Sequence, residues 1–387
     1  MFDLAIIGGG PGGAATAIRA AELGLPTVLV EAAPAPSFRI GETVPPDIEP
    51  VLRRLGVWER FLRDGHLPCA GACSAWAGPE LAWQDGFTSR YGGGWHLDRA
   101  KFDGMLIEAA ESAGATILRG ERTAAVQRTP GGRWRLSLAS RGPSLRARFL
   151  VDASGRPAVF ARRLGALRVR ADRLVAAFAA LPIDAGLPEV AHTVVESFEQ
   201  GWWYAARVPG GNAVVSLFTD ADIARRVSTS ALAWHDLLVR TRHIYPMLGR
   251  PAPPRRVSLA SAASQCLNPL HGPGWVAVGD AATAWDPLAS AGIFHALQAG
   301  REAAEAVAGA LGGDSHGLEI YSRAVQQRFM RFLFERRWYY ALETRWSTSE
   351  FWRRRAGRPS QEERTYATKD AAGRATACSS QDVSGNK

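Results

Sequence analysis

Apolar positions at the start of the chain follow a strand–helix–strand order. Residues 4–7 form a short apolar run of the kind that a buried parallel strand shows. A run of small residues from about 11 to 22 predicts a helix, with Pro11 tolerated in its first turn. Residues 27–30 predict the next strand, and Glu31 follows it directly. The pattern predicts an α/β domain with a parallel sheet.

The central part of the chain instead carries short β-rich runs separated by Glu-Gln-Gly and Pro-Gly-Gly turns. Such a pattern is typical of an antiparallel meander. The segment 70–96, with Trp76, Trp83 and Trp95, predicts further strands. We therefore expect a sheet-based domain inserted into the first domain. The runs cover residues 174–181, 192–198, 203–208 and 212–219.

Towards the C-terminus, apolar side chains return at helical spacing. Positions 329, 332, 339, 342 and 346 recur with a period that predicts an amphipathic helix docked on the body. Beyond residue 357 the chain is polar and small, which predicts a disordered tail. We expect a dinucleotide-binding domain in residues 1–69, 97–169 and 256–325, a substrate domain in residues 70–96 and 170–255, basic aromatic helices in residues 326–357 and a tail in residues 358–387.

The positive charge of the chain is concentrated in one C-terminal segment. The formal net charge is +9, and residues 323–358 contain ten arginines and three glutamates. Packing of this segment on the body is the preferred interpretation, and an acidic protein partner or an anionic surface is the alternative. No nucleic-acid recognition motif accompanies the charge, so we expect no nucleic-acid partner.

Composition and cysteine spacing narrow the class of protein. No run reaches the roughly 18 to 20 apolar residues of a membrane span, and the sequence begins directly in its first strand. We therefore expect a cytoplasmic protein without stable membrane insertion. Four cysteines lack metal or redox spacing, so we predict reduced thiols and no metal site; they are Cys69, Cys73, Cys266 and Cys378.

The turn after the first strand carries the glycine pattern Gly8-x-Gly10-x-x-Gly13. Gly8 allows the tight turn, Gly10 allows a pyrophosphate to approach the backbone, and Gly13 allows the helix to pack close to the strand. The helix N-terminus favours the diphosphate anion. Glu31, at the end of the second strand, is placed to accept hydrogen bonds from an adenosine ribose.

Two later segments repeat the order of apolar strand, acid and glycine. Asp152 ends the run 148–152, and Asp280 follows the run 274–279. A carboxylate at a strand end can bind ribityl hydroxyls. The turn containing Pro287 and Gly292 opens a predicted helix at 293–311, whose N–H groups can face a flavin ring or its phosphates.

These three motifs together resemble the FAD-dependent monooxygenase superfamily, which includes aromatic hydroxylases and flavin-dependent halogenases. The resemblance covers about residues 1–356. It implies an α/β fold: a Rossmann-like FAD-binding domain with an inserted antiparallel-sheet substrate domain and C-terminal helices. A narrower resemblance is to flavoproteins that hydroxylate a tryptophan of a partner protein during tryptophylquinone biogenesis. It is carried by residues 40–46, 66–69, 94–99 and 345–354.

The resemblance implies roles for individual residues. Arg99 begins a predicted helix after residues 94–98, where it is placed for the cofactor. The cofactor-binding set is Gly8, Gly10, Gly13 and Glu31 on the ADP half, Arg39, Glu42 and Arg99 near the cofactor, Asp152 and Asp280 at strand ends, and Pro287 with Gly292 beside the isoalloxazine.

The sequence departs from the halogenase pattern. Halogenases carry Trp-x-Trp-x-Ile-Pro and a lysine in their N-terminal portion that handles hypohalous acid. Residues 202–209 break the tryptophan spacing, and no lysine precedes Lys101. These departures favour hydroxylation over halogenation.

We therefore expect a monooxygenase that hydroxylates an electron-rich, indole-like ring through a flavin hydroperoxide. The ring belongs either to a small molecule or to a tryptophan of a partner protein. A halogenase, a flavin-dependent reductase of an isoprenoid or lipid double bond, and a flavin-bound maturation chaperone are the alternatives. Electrons come from NAD(P)H or from a partner flavin reductase.

The residues do not identify a catalytic acid or base. Candidates for the pocket are histidines and aromatic residues of the sheet region, and for each histidine a structural role is at least as well supported. They are His96, Trp202, Trp203, Tyr204 and His295.

Overall fold

The computed structural model describes residues 1–85, 89–140, 142–183, 191–228 and 230–355. The predicted tail at 358–387 and Cys378 lie outside these residues. Within the described ranges the chain forms an eight-stranded sheet, a seven-stranded sheet and two three-stranded sheets, with helices packed against them.

The strands are short and are numbered in chain order. They are β1 Phe2–Ile7, β2 Thr27–Glu31, β3 Thr43–Val44, β4 Leu67–Cys69, β5 Gly71–Ala75, β6 Ala82–Asp85, β7 Gly94–His96, β8 Thr116–Arg119, β9 Thr123–Arg128, β10 Trp134–Leu138, β11 Leu145–Asp152, β12 Leu167–Arg170, β13 Leu174–Pro182, β14 His192–Phe198, β15 Gly201–Val208, β16 Asn212–Asp220, β17 Ser258–Ser261, β18 Gln265–Asn268, β19 His271–Gly272, β20 Trp275–Ala277 and β21 Thr283–Ala284.

The helices are numbered in the same way. They are α1 Pro11–Glu22, α2 Ile48–Arg54, α3 Trp58–Arg63, α4 Arg99–Ser112, α5 Val159–Arg163, α6 Ala221–Val227, α7 Ala231–Leu238, α8 Ile244–Met247, α9 Gly292–Leu311, α10 His316–Ala341 and α11 Glu350–Arg353, with short 3-10 turns at Gly279–Ala281 and Pro287–Ala289.

The eight-stranded sheet has a parallel centre in the order β8–β2–β1–β11–β20. Its middle strands are apolar because both faces are covered by other elements, and Leu4, Ala5 and Ile6 are fully buried. The first strand begins at Phe2, two residues earlier than its apolar pattern indicates. This architecture confirms the predicted Rossmann-like α/β fold.

Helices α1 and α9 approach each other closely enough that only glycine fits at the contact. A Cβ atom on Gly300 would lie 2.2 Å from the carbonyl oxygen of Gly12, and one on Gly12 would lie 3.1 Å from the Cα atom of Gly279. The small residues of α1 therefore bring the N-terminal turn against the segment that begins at Gly279, about 270 residues later in the chain.

The seven-stranded sheet has the order β17–β13–β16–β15–β14–β5–β6. Strands β13 to β16 pair antiparallel, which confirms the predicted antiparallel sheet. β5 joins this sheet in parallel to β14, and the structure places β7 in a separate sheet with β3 and β4.

Neighbouring residues of β15 pack on opposite faces of the seven-stranded sheet. Trp203 packs with Trp234 of α7 on one face. Trp202 and Tyr204 face the other side, where the C-terminal elements pack. This division follows from the two-residue period of a strand, because successive side chains point to opposite faces.

The C-terminal segment packs on the body through two groups of buried aromatic residues. Phe329 and Phe332 pack against Trp285, and Tyr340, Phe351 and Trp352 pack on the second face of the seven-stranded sheet. Phe329 and Phe332 are buried as their spacing predicts. The spacing fails further on: α10 ends at Ala341, Tyr340 rather than Tyr339 is the fully buried ring, and Leu342 is exposed. Leu342 and Trp346 lie beyond the end of α10, so a helical period does not apply to them.

Arginines of this basic segment pair with carboxylates of the body. The Arg354 and Arg355 guanidinium groups donate to the carboxylate of Asp220 at 2.8 Å and 2.7 Å, and Arg328 pairs with Glu302. Asp220 is 1% exposed, so both of its ion pairs reach into the interior. These contacts favour packing on the body, as preferred from the sequence.

Removing a buried aromatic ring of this segment should destabilise the protein. Trp352 is 2% exposed, and its indole N–H donates to the Phe198 carbonyl at 2.8 Å. We expect Trp352→Ala to lower the free energy of unfolding by about 3–5 kcal/mol in chemical denaturation. Trp338→Ala is the matched control, because Trp338 is 49% exposed and such a change costs about 0.5 kcal/mol. Equal losses in the two variants would contradict the docking of this segment.

Candidate functional site

A cavity of about 1010 Å³ lies between the carboxyl ends of the parallel strands and the seven-stranded sheet. This volume is at the upper end of the roughly 300–1,000 Å³ typical of ligand sites. One end is formed by the turn after β1, which we call the glycine end. The other, the sheet end, is formed by Tyr204, Ser216, Phe218 and residues 260–262.

The three motif glycines are needed at the glycine end for different steric reasons. A Cβ atom on Gly8 would lie 2.2 Å from the Ala153 carbonyl oxygen, and one on Gly13 would lie 2.0 Å from the Gly8 carbonyl oxygen. Both are therefore required by the protein itself. A Cβ atom on Gly10 would meet no protein atom within 4 Å, and Gly10 lines the cavity. That space is available to a ligand.

Glu31 holds the glycine turn from the end of β2. Its carboxylate accepts hydrogen bonds from the backbone N–H of Gly9 at 2.6 Å and of Ala33 at 2.8 Å. The side chain also lines the cavity. Each carboxylate oxygen has a further acceptor position, so Glu31 can support the turn and still accept a ligand hydroxyl.

A segment at the start of β9 completes the glycine end, and no sequence motif marks it. The Thr123 side chain is 7% exposed and lines the cavity. Its hydroxyl has no hydrogen-bond partner among the described residues. A buried polar atom of this kind calls for a partner, and a ligand in the cavity would supply one.

Asp280 lines the middle of the cavity beside Arg156, which was not among the residues predicted from the sequence. The Arg156 guanidinium lies 3.4 Å from the Asp280 carboxylate and also donates to the carbonyls of Ala263 and Trp285. Asp280 remains 39% exposed by its side chain and can accept hydroxyl groups from a ligand.

The turn before α9 lies against the same cavity. Pro287 begins a 3-10 turn in which the Asp286 carboxylate accepts from the Leu288 N–H at 3.0 Å. Gly292 starts the 20-residue α9, and a Cβ atom there would meet no protein atom within 4 Å. The positive end of this helix dipole therefore adjoins open space in the cavity.

Asp286 is itself fixed by a chain of hydrogen bonds from outside the cavity. The Tyr340 hydroxyl donates to Asp286 at 3.0 Å and accepts from the Trp202 indole N–H at 2.9 Å. Burial raises the pKa of Asp286. Trp202 thus supports the cavity wall from behind and does not line the cavity.

Asp152, one of the predicted cofactor residues, holds backbone segments of the protein together. The Asp152 carboxylate is buried outside the cavity and accepts from the N–H groups of Ser154, Phe160 and Ala161 at 2.7–3.0 Å. The structure therefore gives Asp152 a structural role at the start of α5, because these backbone donors occupy its acceptor positions.

Arg99 and Arg39 both line the cavity. Arg99 donates to the carbonyls of Ile40 and Gly41 and pairs with Asp103 at 3.0 Å, so it fixes the segment before β3. Arg39 is half-exposed and lies 3.9 Å from Glu31.

Of the five pocket candidates, the structure places only Tyr204 in the cavity wall. Trp203 faces the opposite side of its sheet. His96 is buried with its Nε2 atom 2.9 Å from the Thr193 hydroxyl. His295 stacks on the Trp285 ring at 3.9 Å. The pKa of each of these histidines is lowered to about 4, first of all by burial, so both imidazoles are neutral near pH 7.

Glu42 lies at the sheet end of the cavity and is 2% exposed. Its carboxylate accepts from the Gly41 N–H at 2.9 Å, and the neighbouring Tyr204 hydroxyl lies 2.5 Å from the Thr43 hydroxyl. Burial raises the pKa of Glu42, and burial next to this carboxylate raises the pKa of Tyr204.

The glycine end, the orphaned Thr123 hydroxyl and the two helix N-termini fit a dinucleotide with a diphosphate. Over residues 1–334 the chain matches the family model described as FAD binding domain. The chain belongs to this FAD-binding family. The resemblance stated from the sequence is confirmed, the cofactor is FAD, and the protein is a FAD-dependent oxidoreductase.

Alignments with named relatives cover nearly the whole chain. The FAD-dependent oxidoreductase LodB of Marinomonas mediterranea is 29% identical, with 92% of this chain and 96% of LodB covered. The tryptophan 2-halogenase of Chondromyces crocatus is 26% identical, with 90% of this chain and 69% of that protein covered.

Solved structures show the same fold. The myxobacterial chondrochloren halogenase CndH superposes with a TM-score of 0.85 at 25% identity, covering 96% of this chain and 90% of CndH. The peptidyl tryptophan dihydroxylase QhpG superposes with a TM-score of 0.70 at 27% identity, covering 93% of this chain and 80% of QhpG.

The described residues contain neither a helix suited to span a membrane nor a cluster of side chains suited to bind a metal ion. None of the helices there is both long enough and apolar enough to cross a membrane. In the same part of the chain, no group of three or more His, Cys, Asp or Glu side chains is arranged to hold a metal ion.

Filling the open space at Gly10 should remove FAD without unfolding the protein. The backbone of Gly10 is extended at φ −68°, which alanine adopts without strain. We expect Gly10→Ala to keep the thermal unfolding of the cofactor-free protein and to weaken FAD binding at least about tenfold, or ~1.4 kcal/mol. Quenching of FAD fluorescence measures the affinity. Gly131→Ala, in an exposed turn with no atom near its Cβ, is the control. Unchanged affinity in Gly10→Ala would exclude this part of the cavity as the diphosphate site.

Proposed function

We propose that the protein is a FAD-dependent monooxygenase that hydroxylates an electron-rich, indole-like ring, either in a small molecule or in a tryptophan of a partner protein. The observation that carries the proposal is the composition of the cavity. Its glycine end suits the dinucleotide, and the rest of its lining combines aromatic side chains with two buried carboxylates, Glu42 and Asp286.

The predicted cofactor residues that line the cavity fit this proposal. We infer that Gly8, Gly10, Gly13 and Glu31 hold the ADP half and that Asp280, Pro287 and Gly292 hold the flavin half. Arg39 and Arg99 bound the same cavity. When bound and reduced, FAD supplies the activation of O2.

The chain's own residues orient the ring and exclude water. Phe218 and Trp285 line the cavity and are 4% and 6% exposed. Aromatic walls favour a flat aromatic guest through stacked or edge-to-face contacts. Exclusion of water around the reacting atoms protects the oxygenating species from unproductive loss.

The position of the lysines supports hydroxylation over halogenation. Lys101 lies on α4, where its Nζ atom donates to the Asp64 carbonyl at 3.2 Å, and it does not line the cavity. No lysine belongs to the cavity wall in the described part of the chain. The halogenase lysine thus has no counterpart among these residues.

The comparisons favour a second candidate, halogenation of an aromatic substrate. Most of the named relatives are flavin-dependent halogenases, and among the solved structures QhpG is the hydroxylase. By relatives alone, halogenation is better supported than hydroxylation. The two candidates share a fold and a cofactor, so the product decides between them.

A product assay separates the candidates. The FAD-loaded protein is given NADH, a flavin reductase, isotope-labelled O2, and either free tryptophan or a tryptophan-containing peptide, with and without chloride or bromide. We expect a product that carries one labelled oxygen atom and forms equally well without halide. A halogenated product that requires halide would overturn hydroxylation, and oxidation of NADH with neither an oxygenated nor a halogenated product would contradict both candidates.

The FAD-poor variant Gly10→Ala serves as the negative control in this assay. Free reduced flavin reacts with O2 in solution, and this variant measures that background. Product formation by the wild-type protein above this background assigns the chemistry to the bound cofactor.

A further inference from the structure

We propose that the hydroxyl group of Thr123 recognises the adenine base of FAD, which makes this residue a determinant of cofactor specificity. The proposal rests on the proposed placement of the ADP half of FAD at the glycine end. It is independent of the reaction that the protein catalyses. It gives a binding role to a side chain that no sequence motif marks.

The Thr123 hydroxyl is a buried polar group that lacks a partner in the protein. Thr123 is 7% exposed and lines the cavity, and its hydroxyl oxygen has no hydrogen-bond partner among the described residues. Native proteins almost always pair such a group, because leaving it unpaired costs free energy. In the described part of the chain, the other unpaired buried atoms belong to His66, Ser228 and His295, which do not line the cavity. Of the four, a ligand in the cavity can reach Thr123.

A β-bulge turns the Thr123 side chain towards the cavity. Strands β9 and β10 change register between Thr123 and Ala125, so Ala124 is an extra residue in β9. A bulge shifts the alternation of side chains along a strand and can direct one of them into a site. The Arg163 guanidinium donates to the Ala124 carbonyl at 3.3 Å and so holds the bulge in place.

The order of the strands places the nucleotide base at Thr123. Strands β1, β2 and β8 are neighbours in this order, and their carboxyl ends carry the glycine turn, Glu31 and the segment that leads to Thr123. The Glu121 N–H donates to the Glu31 carbonyl at 3.1 Å, which fixes this segment beside β2. A nucleotide with its diphosphate at the glycine turn and its ribose at Glu31 therefore extends its base towards Thr123.

The cavity wall around Thr123 suits a flat aromatic base. The side chains of Val30 and Phe160 are buried and line the same end of the cavity. The Arg163 guanidinium lies 5.7 Å from the centroid of the Phe160 ring, so this ring adjoins the bulge. An apolar wall favours ring contacts, and a threonine hydroxyl can both donate and accept a hydrogen bond. The edge of adenine offers ring-nitrogen acceptors and an amino donor.

Replacing the hydroxyl by a methyl group of similar size tests the proposal. We expect Thr123→Val to weaken FAD binding about 5- to 20-fold, or ~1–1.8 kcal/mol, because the base loses its partner inside a buried wall. Thr123→Ser keeps the hydroxyl and should bind FAD within about threefold of the wild type, or ~0.7 kcal/mol. Quenching of FAD fluorescence measures these affinities.

The stability of the cofactor-free protein separates recognition from a structural role. Thr123→Val should keep or raise its unfolding temperature, because the substitution removes a buried polar group without a protein partner. Thr27→Val is the matched control, since the buried Thr27 hydroxyl donates to the Leu25 carbonyl at 2.8 Å outside the cavity. This control should unfold at a lower temperature and bind FAD as the wild type does.

Fragments of the cofactor identify the group that Thr123 contacts. ADP contains the base, whereas ribose 5-phosphate contains a sugar and a phosphate without a base. Each is added to the cofactor-free protein, and the rise in unfolding temperature is measured. We expect Thr123→Val to reduce the rise caused by ADP and to leave the effect of ribose 5-phosphate unchanged. An equal reduction with both fragments would place the hydroxyl at the sugar or phosphate and overturn the proposal.

The outcomes separate this proposal from the placement of the cofactor. Unchanged FAD affinity in both Gly10→Ala and Thr123→Val would overturn the placement and the proposal with it. Weaker binding by Gly10→Ala, with Thr123→Val within about twofold of the wild type, or ~0.4 kcal/mol, would overturn the role of Thr123 alone. A lower unfolding temperature of cofactor-free Thr123→Val would also overturn this role, because the hydroxyl would then have a partner in the protein.

Discussion

The structure depends on the close approach of two backbones, at the contact of α1 with α9. Gly12 and Gly300 permit this approach, since any side chain at Gly300 would collide with the Gly12 carbonyl. The contact brings the turn after β1 beside Asp280 and Gly292, although most of the chain separates them in sequence. The absence of a Cβ atom at these positions therefore lets the two halves of the cofactor cavity lie side by side.

The sheet end of the cavity is shaped by a different constraint, which is the free-energy cost of burying polar groups. The Glu42 carboxylate accepts from the Gly41 N–H, and the hydroxyls of Thr43 and Tyr204 are hydrogen-bonded to each other. Buried groups tolerate this position only when such partners are present. The same burial raises the pKa of Glu42.

The basic C-terminal segment supports the cavity wall from outside the cavity. Its aromatic residues cover one face of the seven-stranded sheet, and its arginines meet carboxylates such as Asp220 and Glu302. Through Tyr340 it also fixes Asp286, which lines the cavity. The arginine-rich composition of this segment suggests binding to another molecule. In the structure, these arginines and aromatic residues instead pack on the body of the same chain and support the cavity wall.

The sequence alone determined the parallel sheet, the glycine turn and a minority of the residues that line the cofactor cavity. These could be predicted because the preferences of a strand–turn–helix unit are local and each glycine meets a local steric requirement. It could not decide which aromatic residues enter the pocket. Trp202, Trp203 and Tyr204 are consecutive, and only the packing of helices on each face of β15 separates them. The sequence also could not show that backbone N–H groups fill the acceptor positions of the Asp152 carboxylate or that Thr123 lines the cavity. It could not show that Glu42 lacks an ion-pair partner among the described residues. Those facts depend on contacts between residues far apart in the chain, which only the tertiary structure brings together.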